Sequence, residues 1–251
     1  MPLVLANGLS QNAVELGQGS RVVMLHGLLV GSSASWYFTC APALARDHRL
    51  LLYDMRGHGR SSRAPRGYDT ATLAEDLRAL LDVLGWRGPI SVVGHSYGAL
   101  VALRFALDHP ERVHKLALVE APLPPSRLPD LQAFFALDPS KMAESLPQVT
   151  RHFLDRRGRQ AEKLLASLSH LCFETTALAD VRAERDLPDK ELARLSAPLL
   201  VYGESSSCRE VGERLARVIP GSKLVLLPGG HNLHLESTAE LTQALADYLG
   251  G

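Results

Sequence analysis

The stretch from Pro89 to Phe105, PISVVGHSYGALVALRF, narrows the choice of folds more than any other in this sequence. A short apolar run, Ile90–Val93, leads into Gly94-His95-Ser96-Tyr97-Gly98, and an apolar segment of helical period, Leu100–Leu107, follows without a spacer. A strand that turns directly into a helix bends sharply and crowds the positions two before and two after its apex. Both are glycine here, which is what such a bend requires. Ser96 therefore sits at the apex of a strand–turn–helix unit, at a helix N-terminus where negative charge is favoured.

Five further runs have the same character: Arg21–Leu25, Arg49–Tyr53, Lys115–Val119, Leu199–Tyr202 and Lys223–Leu227. Short runs rich in Val and Leu suit strands buried on both faces of a mostly parallel sheet. Between them lie amphipathic segments. Thr70–Leu84 carries leucine at 73, 77, 80, 81 and 84, a three-and-four spacing that gives one apolar helix face; Val211–Ile219 and Ala239–Leu249 read similarly. The alternation predicts an α/β fold: a doubly wound, mostly parallel sheet of about eight strands flanked by helices. In such sheets ligands bind outside the carboxyl ends of the strands.

One region departs from the alternation. Pro122–Ala197 contains no convincing strand; a proline-rich opening leads to helix-like segments at Asp130–Leu137, Lys141–Leu154 and Gln160–Leu171. Seventy-odd residues exceed a plain crossover. The expectation is a core made of residues 1–121 and 197–251, with a helical lid, residues 122–196, inserted after the strand ending at Glu120.

Lysine plus arginine equals aspartate plus glutamate, 27 against 27, so no global field draws the chain to nucleic acid or an anionic membrane. A small, largely uncharged molecule is the expected partner. Cys40, Cys172 and Cys208 are widely spaced, with no CxxC pair, and read as reduced thiols. No run of 18 apolar residues is present to span a bilayer, and the N-terminus lacks the basic-then-apolar pattern of a secretion signal. Cytoplasmic location is the default, and no cofactor or metal is called for.

A serine hydroxyl is a poor nucleophile near neutral pH and needs a base. Of ten histidines, His231, in the loop LPGGHNLHLES after the last strand, is best placed to return to the sheet's carboxyl edge. His234 reads as structural or pocket-lining; His26 and His58 belong to glycine-rich turns and read as local hydrogen-bonding residues; His95 lies inside the bend and should point away from Ser96. Acyl transfer also needs donors for a developing oxyanion. The backbone N–H of Tyr97 and that of Leu28, in the loop HGLLVGSS, are the candidates. Leu29, with Phe134, Phe135 and Phe153 of the insertion, are candidate pocket walls. The arginines at 151, 156, 157 and 159 would suit an acyl carrier, but interleaved acids favour a solvated helix face.

These features together resemble the α/β-hydrolase superfamily over essentially the whole chain: His26-Gly27, YDMRGHGRSS at Tyr53–Ser62, GHSYG at Gly94–Gly98 and GGHNLHLE at Gly229–Glu236. The resemblance implies fold and nucleophile class and leaves the substrate open, since the fold hosts many chemistries. Serine at the bend argues against the dehalogenase and epoxide-hydrolase branches, which carry aspartate there.

The resemblance also exposes a departure. Most relatives end the penultimate strand in G-x-x-D, whose aspartate orients the histidine; here Ser206 occupies that position. Glu204 could act instead, or the chain could be a non-catalytic binder, or the acid could come from another strand. Glu120 favours the last: it ends KLALVE, the strand after the Ser96 helix, and keeps the order serine, acid, histidine. Neighbouring parallel strands lie about 4.8 Å apart, so a carboxylate one strand over reaches the same ring. The expectation is a hydrolase of a carboxylic ester or lactone with Ser96, His231 and Glu120. A thioesterase or acyltransferase with the same residues, and a ligand-binding relative without catalysis, are the alternatives.

Overall fold

The structure, a computed structural model, describes residues 3–124, 141 and 158–251. Its eight strands are β1 (Leu3–Ala6), β2 (Leu9–Leu16), β3 (Ser20–Leu25), β4 (His48–Tyr53), β5 (Ile90–His95), β6 (Val113–Val119), β7 (Leu199–Gly203) and β8 (Lys223–Leu227). They form one sheet in the order β1-β2-β4-β3-β5-β6-β7-β8. The first two strands are antiparallel to their neighbours, and β4, β3, β5, β6, β7 and β8 run parallel.

The described helices, numbered in chain order, are α1 (Ser33–Tyr37), α2 (Ala41–Leu44), α3 (Thr70–Val83), α4 (Tyr97–Asp108), α5 (Gly158–Phe173), α6 (Ala177–Ala183), α7 (Asp189–Leu192), α8 (Arg209–Val218), α9 (Leu233–Glu236) and α10 (Thr238–Gly250). They cover both faces of the sheet. Successive strand residues point to opposite faces, so Val23 and Leu25 of β3 pack with α3, α4 and α8. Val22 and Met24 pack with α1, α2 and α10 on the other side. The leucine face expected on α3 is the buried one: Leu73, Leu77, Leu80 and Leu81 are all at most 1% exposed. Burial of each such side chain contributes about 1.5–3 kcal/mol. Asp69 caps α3 by accepting the Thr72 N–H at 2.8 Å.

The six apolar runs read from the sequence all form strands. The N-terminal pair β1–β2 was not among them: β1, LVLA, is only four residues long, and β2, LSQNAVEL, interrupts its apolar residues with polar ones. Within the expected insertion, α5 matches the helix expected at Gln160–Leu171, while α6 and α7 carry no clear sequence signal. Among the described residues, none between 122 and 197 is in a strand. The helix expected at Asp130–Leu137, and all but Lys141 of that at Lys141–Leu154, lie outside the described residues. No described helix is long and apolar enough to cross a membrane.

Candidate active site

The sharp turn after β5 has the backbone its sequence demands. Ser96 has φ 54° and ψ −125°, a conformation that costs a non-glycine residue about 1–3 kcal/mol. The flanking glycines are there because nothing larger fits. A Cβ on Gly94 would lie 2.3 Å from the Gly98 carbonyl oxygen, and one on Gly98 2.3 Å from that of His26. The Ser96 N–H donates to the Val119 carbonyl at 2.9 Å, which ties the turn to the neighbouring strand β6. Tyr97 begins α4, so its N–H lies outside the helix ladder, beside the serine. The His26–Ser33 loop closes over the same point: a Cβ on Gly27 would approach the Ser96 Cβ to 3.2 Å. Leu28 follows directly and is half-buried. The Asp54 carboxylate anchors the far end of this loop, accepting the Ser33 N–H at 2.7 Å and Asn12 Nδ2 at 2.9 Å.

Glu120 follows the last residue of β6 and is fully buried, with φ 56°. Its N–H donates to the Val201 carbonyl on β7 at 2.9 Å. Its carboxylate accepts from the Gly203 N–H and from the Ser206 hydroxyl, both in short contacts. A buried carboxylate needs such donors. The serine in the position vacated by aspartate supplies one of them, and its Oγ in turn accepts the Cys208 N–H at 3.0 Å.

His231 lies in the loop between β8 and α9. Its Nε2 is 2.9 Å from Ser96 Oγ and its Nδ1 3.0 Å from Glu120 Oε2. A carboxylate at Nδ1 fixes a proton there and turns the Nε2 lone pair toward the serine O–H. His95 Nε2 holds the His231 carbonyl at 2.9 Å. The structure thus brings Ser96, His231 and Glu120 together from the ends of three strands. Glu204 is exposed, and it is Glu120 that meets His231.

Electrostatics single out His231 among the histidines of this sheet edge. Burial lowers His26, drives His95 well below the usual imidazole range, and takes His58 to about 3 and His234 to about 4. Burial acts on His231 in the same direction. The Cys208 sulfur and the Glu120 carboxylate outweigh it and raise His231 above the usual imidazole range.

His26 and His58 play the local parts expected of them. His26 Nε2 accepts the Met55 N–H at 3.0 Å, and His58 Nδ1 reaches the Arg56 carbonyl at 2.8 Å. His234 is buried with its ring 4.6 Å from that of His95, which makes it a packing partner of the site. Leu29 is half-buried at φ 67° and packs against Tyr68, Leu171 and Ala177. Phe134, Phe135 and Phe153 lie outside the described residues. Cys208 was missed by sequence reasoning. Its Sγ is 3.5 Å from His231 Nδ1, and a single cysteine far from any motif gives no sign of that.

Comparison with known proteins identifies the family. Residues 20–194 match the family described as alpha/beta hydrolase fold. The chain belongs to the α/β-hydrolase fold family. Among its relatives is a protein of Variovorax paradoxus (strain S110) named "Putative carbamate hydrolase RutD". It is 31% identical over 242 residues, spanning 90% of this chain and 91% of the relative. Two solved structures superpose along almost the whole chain. Est816, described as an N-acyl homoserine lactone degrading enzyme, has a TM-score of 0.78 at 25% identity, covering 98% of this chain and 100% of its own. The enol-lactonase from Burkholderia xenovorans LB400 has a TM-score of 0.81 at 21% identity with 100% of both chains covered, a likeness of fold.

Proposed function

We propose that the protein is a serine hydrolase that cleaves carboxylic esters, lactones included, through an acyl-enzyme on Ser96. One observation carries the reading: the unbroken relay Ser96 Oγ–His231 Nε2 at 2.9 Å and His231 Nδ1–Glu120 Oε2 at 3.0 Å. As Ser96 Oγ attacks the substrate carbonyl, His231 Nε2 takes its proton. Glu120 stays ionised, holds the ring in the productive tautomer and stabilises the imidazolium. The Tyr97 and Leu28 N–H groups receive the charge that develops on the carbonyl oxygen, each such donor being worth about 10²–10³ in rate. The imidazolium then returns the proton to the leaving alcohol. Water, activated by the same Nε2, cleaves the acyl-enzyme and regenerates Ser96.

A serine at the turn, the lactone named for Est816 and the chain's lack of net charge all favour a small, largely uncharged acyl substrate. The carbamate in the name of the Variovorax relative offers the same kind of carbonyl to the same serine, so carbamates belong in the substrate panel. The test is initial-rate hydrolysis of p-nitrophenyl esters, aliphatic lactones and carbamates by the native protein and by Ser96→Ala. Ester and lactone turnover should fall by more than about 10³-fold in the variant. Ligand binding with no turnover of any ester or lactone would identify a binding protein instead. Preferential transfer to an added alcohol or thiol would identify an acyltransferase.

A further inference from the structure

Three side chains with metal-ligand chemistry converge behind the relay. Glu120, Cys208 and His231 each offer one ligand atom, and these atoms lie within 4.8 Å of one another. Cys208 Sγ is 3.5 Å from His231 Nδ1, and Glu120 Oε2 is 3.0 Å from the same nitrogen. In a tetrahedral zinc site, bond lengths of about 2.0 Å to nitrogen and oxygen and about 2.3 Å to sulfur put the nitrogen and sulfur about 3.5 Å apart and the nitrogen and oxygen about 3.3 Å apart. The two pairs that share the nitrogen are within a few tenths of an ångström of that spacing before any ion arrives, and the sulfur and the carboxylate oxygen lie within 4.8 Å of each other. Its elements are rigid: Glu120 is held by the Gly203 N–H and the Ser206 hydroxyl, and Cys208 caps the ten-residue helix α8.

We propose that Glu120, Cys208 and His231 form a binding site for a borderline-soft divalent cation of the Zn2+ type, and that its occupation switches the site off. Thiolate, imidazole and a single carboxylate select Zn2+ or Co2+ over Mg2+ and Ca2+, which require several oxygen ligands. Cys208 and Glu120 are fully buried, while the His231 side chain is 33% exposed, so the histidine side is the open approach for the ion. Cys208 Sγ binds as thiolate and releases one proton to solvent. His231 gives up its Nδ1 proton to free that lone pair for the metal and takes one at Nε2, so the neutral ring changes tautomer. From the neutral ring one proton leaves in all, that of Cys208; from the imidazolium the Nδ1 proton leaves as well; in both cases the Glu120 and Cys208 charges neutralise the cation. With hydrogen on Nε2, His231 donates toward Ser96 Oγ and cannot accept its proton. The inhibitory half of this proposal rests on the esterase reading above; the binding half does not.

The test is a Co2+ titration of chelator-stripped native protein, followed by its near-ultraviolet thiolate-to-cobalt absorption. The expected result is one equivalent bound with that band. Zn2+ should displace it, and millimolar Mg2+ or Ca2+ should not. Cys208→Ser keeps a residue suited to a helix cap and should lose the band, with Zn2+ affinity down by more than about 100-fold, beyond the loss expected for a residue that only supports a ligand. Saturating Zn2+ should depress ester turnover by about 10²–10⁴-fold, the worth of a general base, and EDTA should restore it. No thiolate band at millimolar Co2+, or an undiminished band in folded Cys208→Ser, overturns the site. A band with no ester turnover at any metal concentration upholds the site and refutes the esterase reading.

Discussion

Replacing Glu120 by glutamine tests the relay with little change of shape. The carboxylate is fully buried and meets three groups: the Gly203 N–H, the Ser206 hydroxyl and His231 Nδ1. In Glu120→Gln the amide oxygen still accepts from Gly203, and the amide nitrogen faces Ser206 Oγ and His231. Both can answer it, Ser206 by turning its hydroxyl and His231 by moving its proton from Nδ1 to Nε2. All buried polar groups stay satisfied, so the fold persists. The histidine, however, now carries hydrogen on the atom that must take the serine proton. A wrong tautomer costs about 10⁴-fold in kcat, which is about 5.4 kcal/mol at about 1.36 kcal/mol per factor of ten. Stopped-flow release of p-nitrophenol, with EDTA present, measures it. Ser206→Asp added to Glu120→Gln returns a carboxylate to the vacated loop position and should recover at least about tenfold, a small part of that loss. If Glu120→Gln keeps kcat within tenfold of native, or Glu204→Gln loses as much, the reasoning about the acid is wrong.

Further predictions follow from the same geometry. His231 must be neutral to act as base and is held above the usual imidazole range. The acid limb of kcat/KM should therefore lie above pH about 6.5 and move to lower pH in Glu120→Gln; a pH–rate profile of both proteins decides. Ser96→Gly removes the hydroxyl but relieves the strained backbone at φ 54°. It should raise Tm by about 2–4 °C for each kcal/mol of strain released while abolishing turnover, as read by calorimetry beside the ester assay. Away from the site, Arg56 and Asp76 form a buried ion pair with contacts of 2.6 and 2.7 Å. Asp76→Ala leaves Arg56 buried without its partner and should cost about 3–5 kcal/mol of stability in urea denaturation.

Much of this was legible in the sequence because particular residues answer to hard constraints. Gly94 and Gly98 are demanded by backbone contacts that any Cβ would violate, so the turn and its serine could be read directly. Glu120 could be proposed because β6 is a continuous apolar run and its next residue must emerge at the same edge as Ser96. What escaped was set by long-range packing. At the edge of the sheet β1 pairs with β2 and β2 with β4; β1 is only four residues long and β2 mixes polar residues among its apolar ones, so neither stood out. Ser206 was legible only as a missing aspartate. Its actual part, a donor to the displaced carboxylate, depends on β6 and β7 being neighbours. Cys208 gave no signal, since its distance to His231 is fixed by where α8 begins relative to the loop after β8.

The most direct test of the central claim is to quench the protein during turnover of a slowly deacylated ester and locate the added acyl mass by peptide mass spectrometry. One acyl group, on Ser96, is expected in the native protein, and none in His231→Ala quenched at the same time. An acyl group on any other residue, or turnover with Ser96 left unmodified under conditions that trap the intermediate, would contradict it.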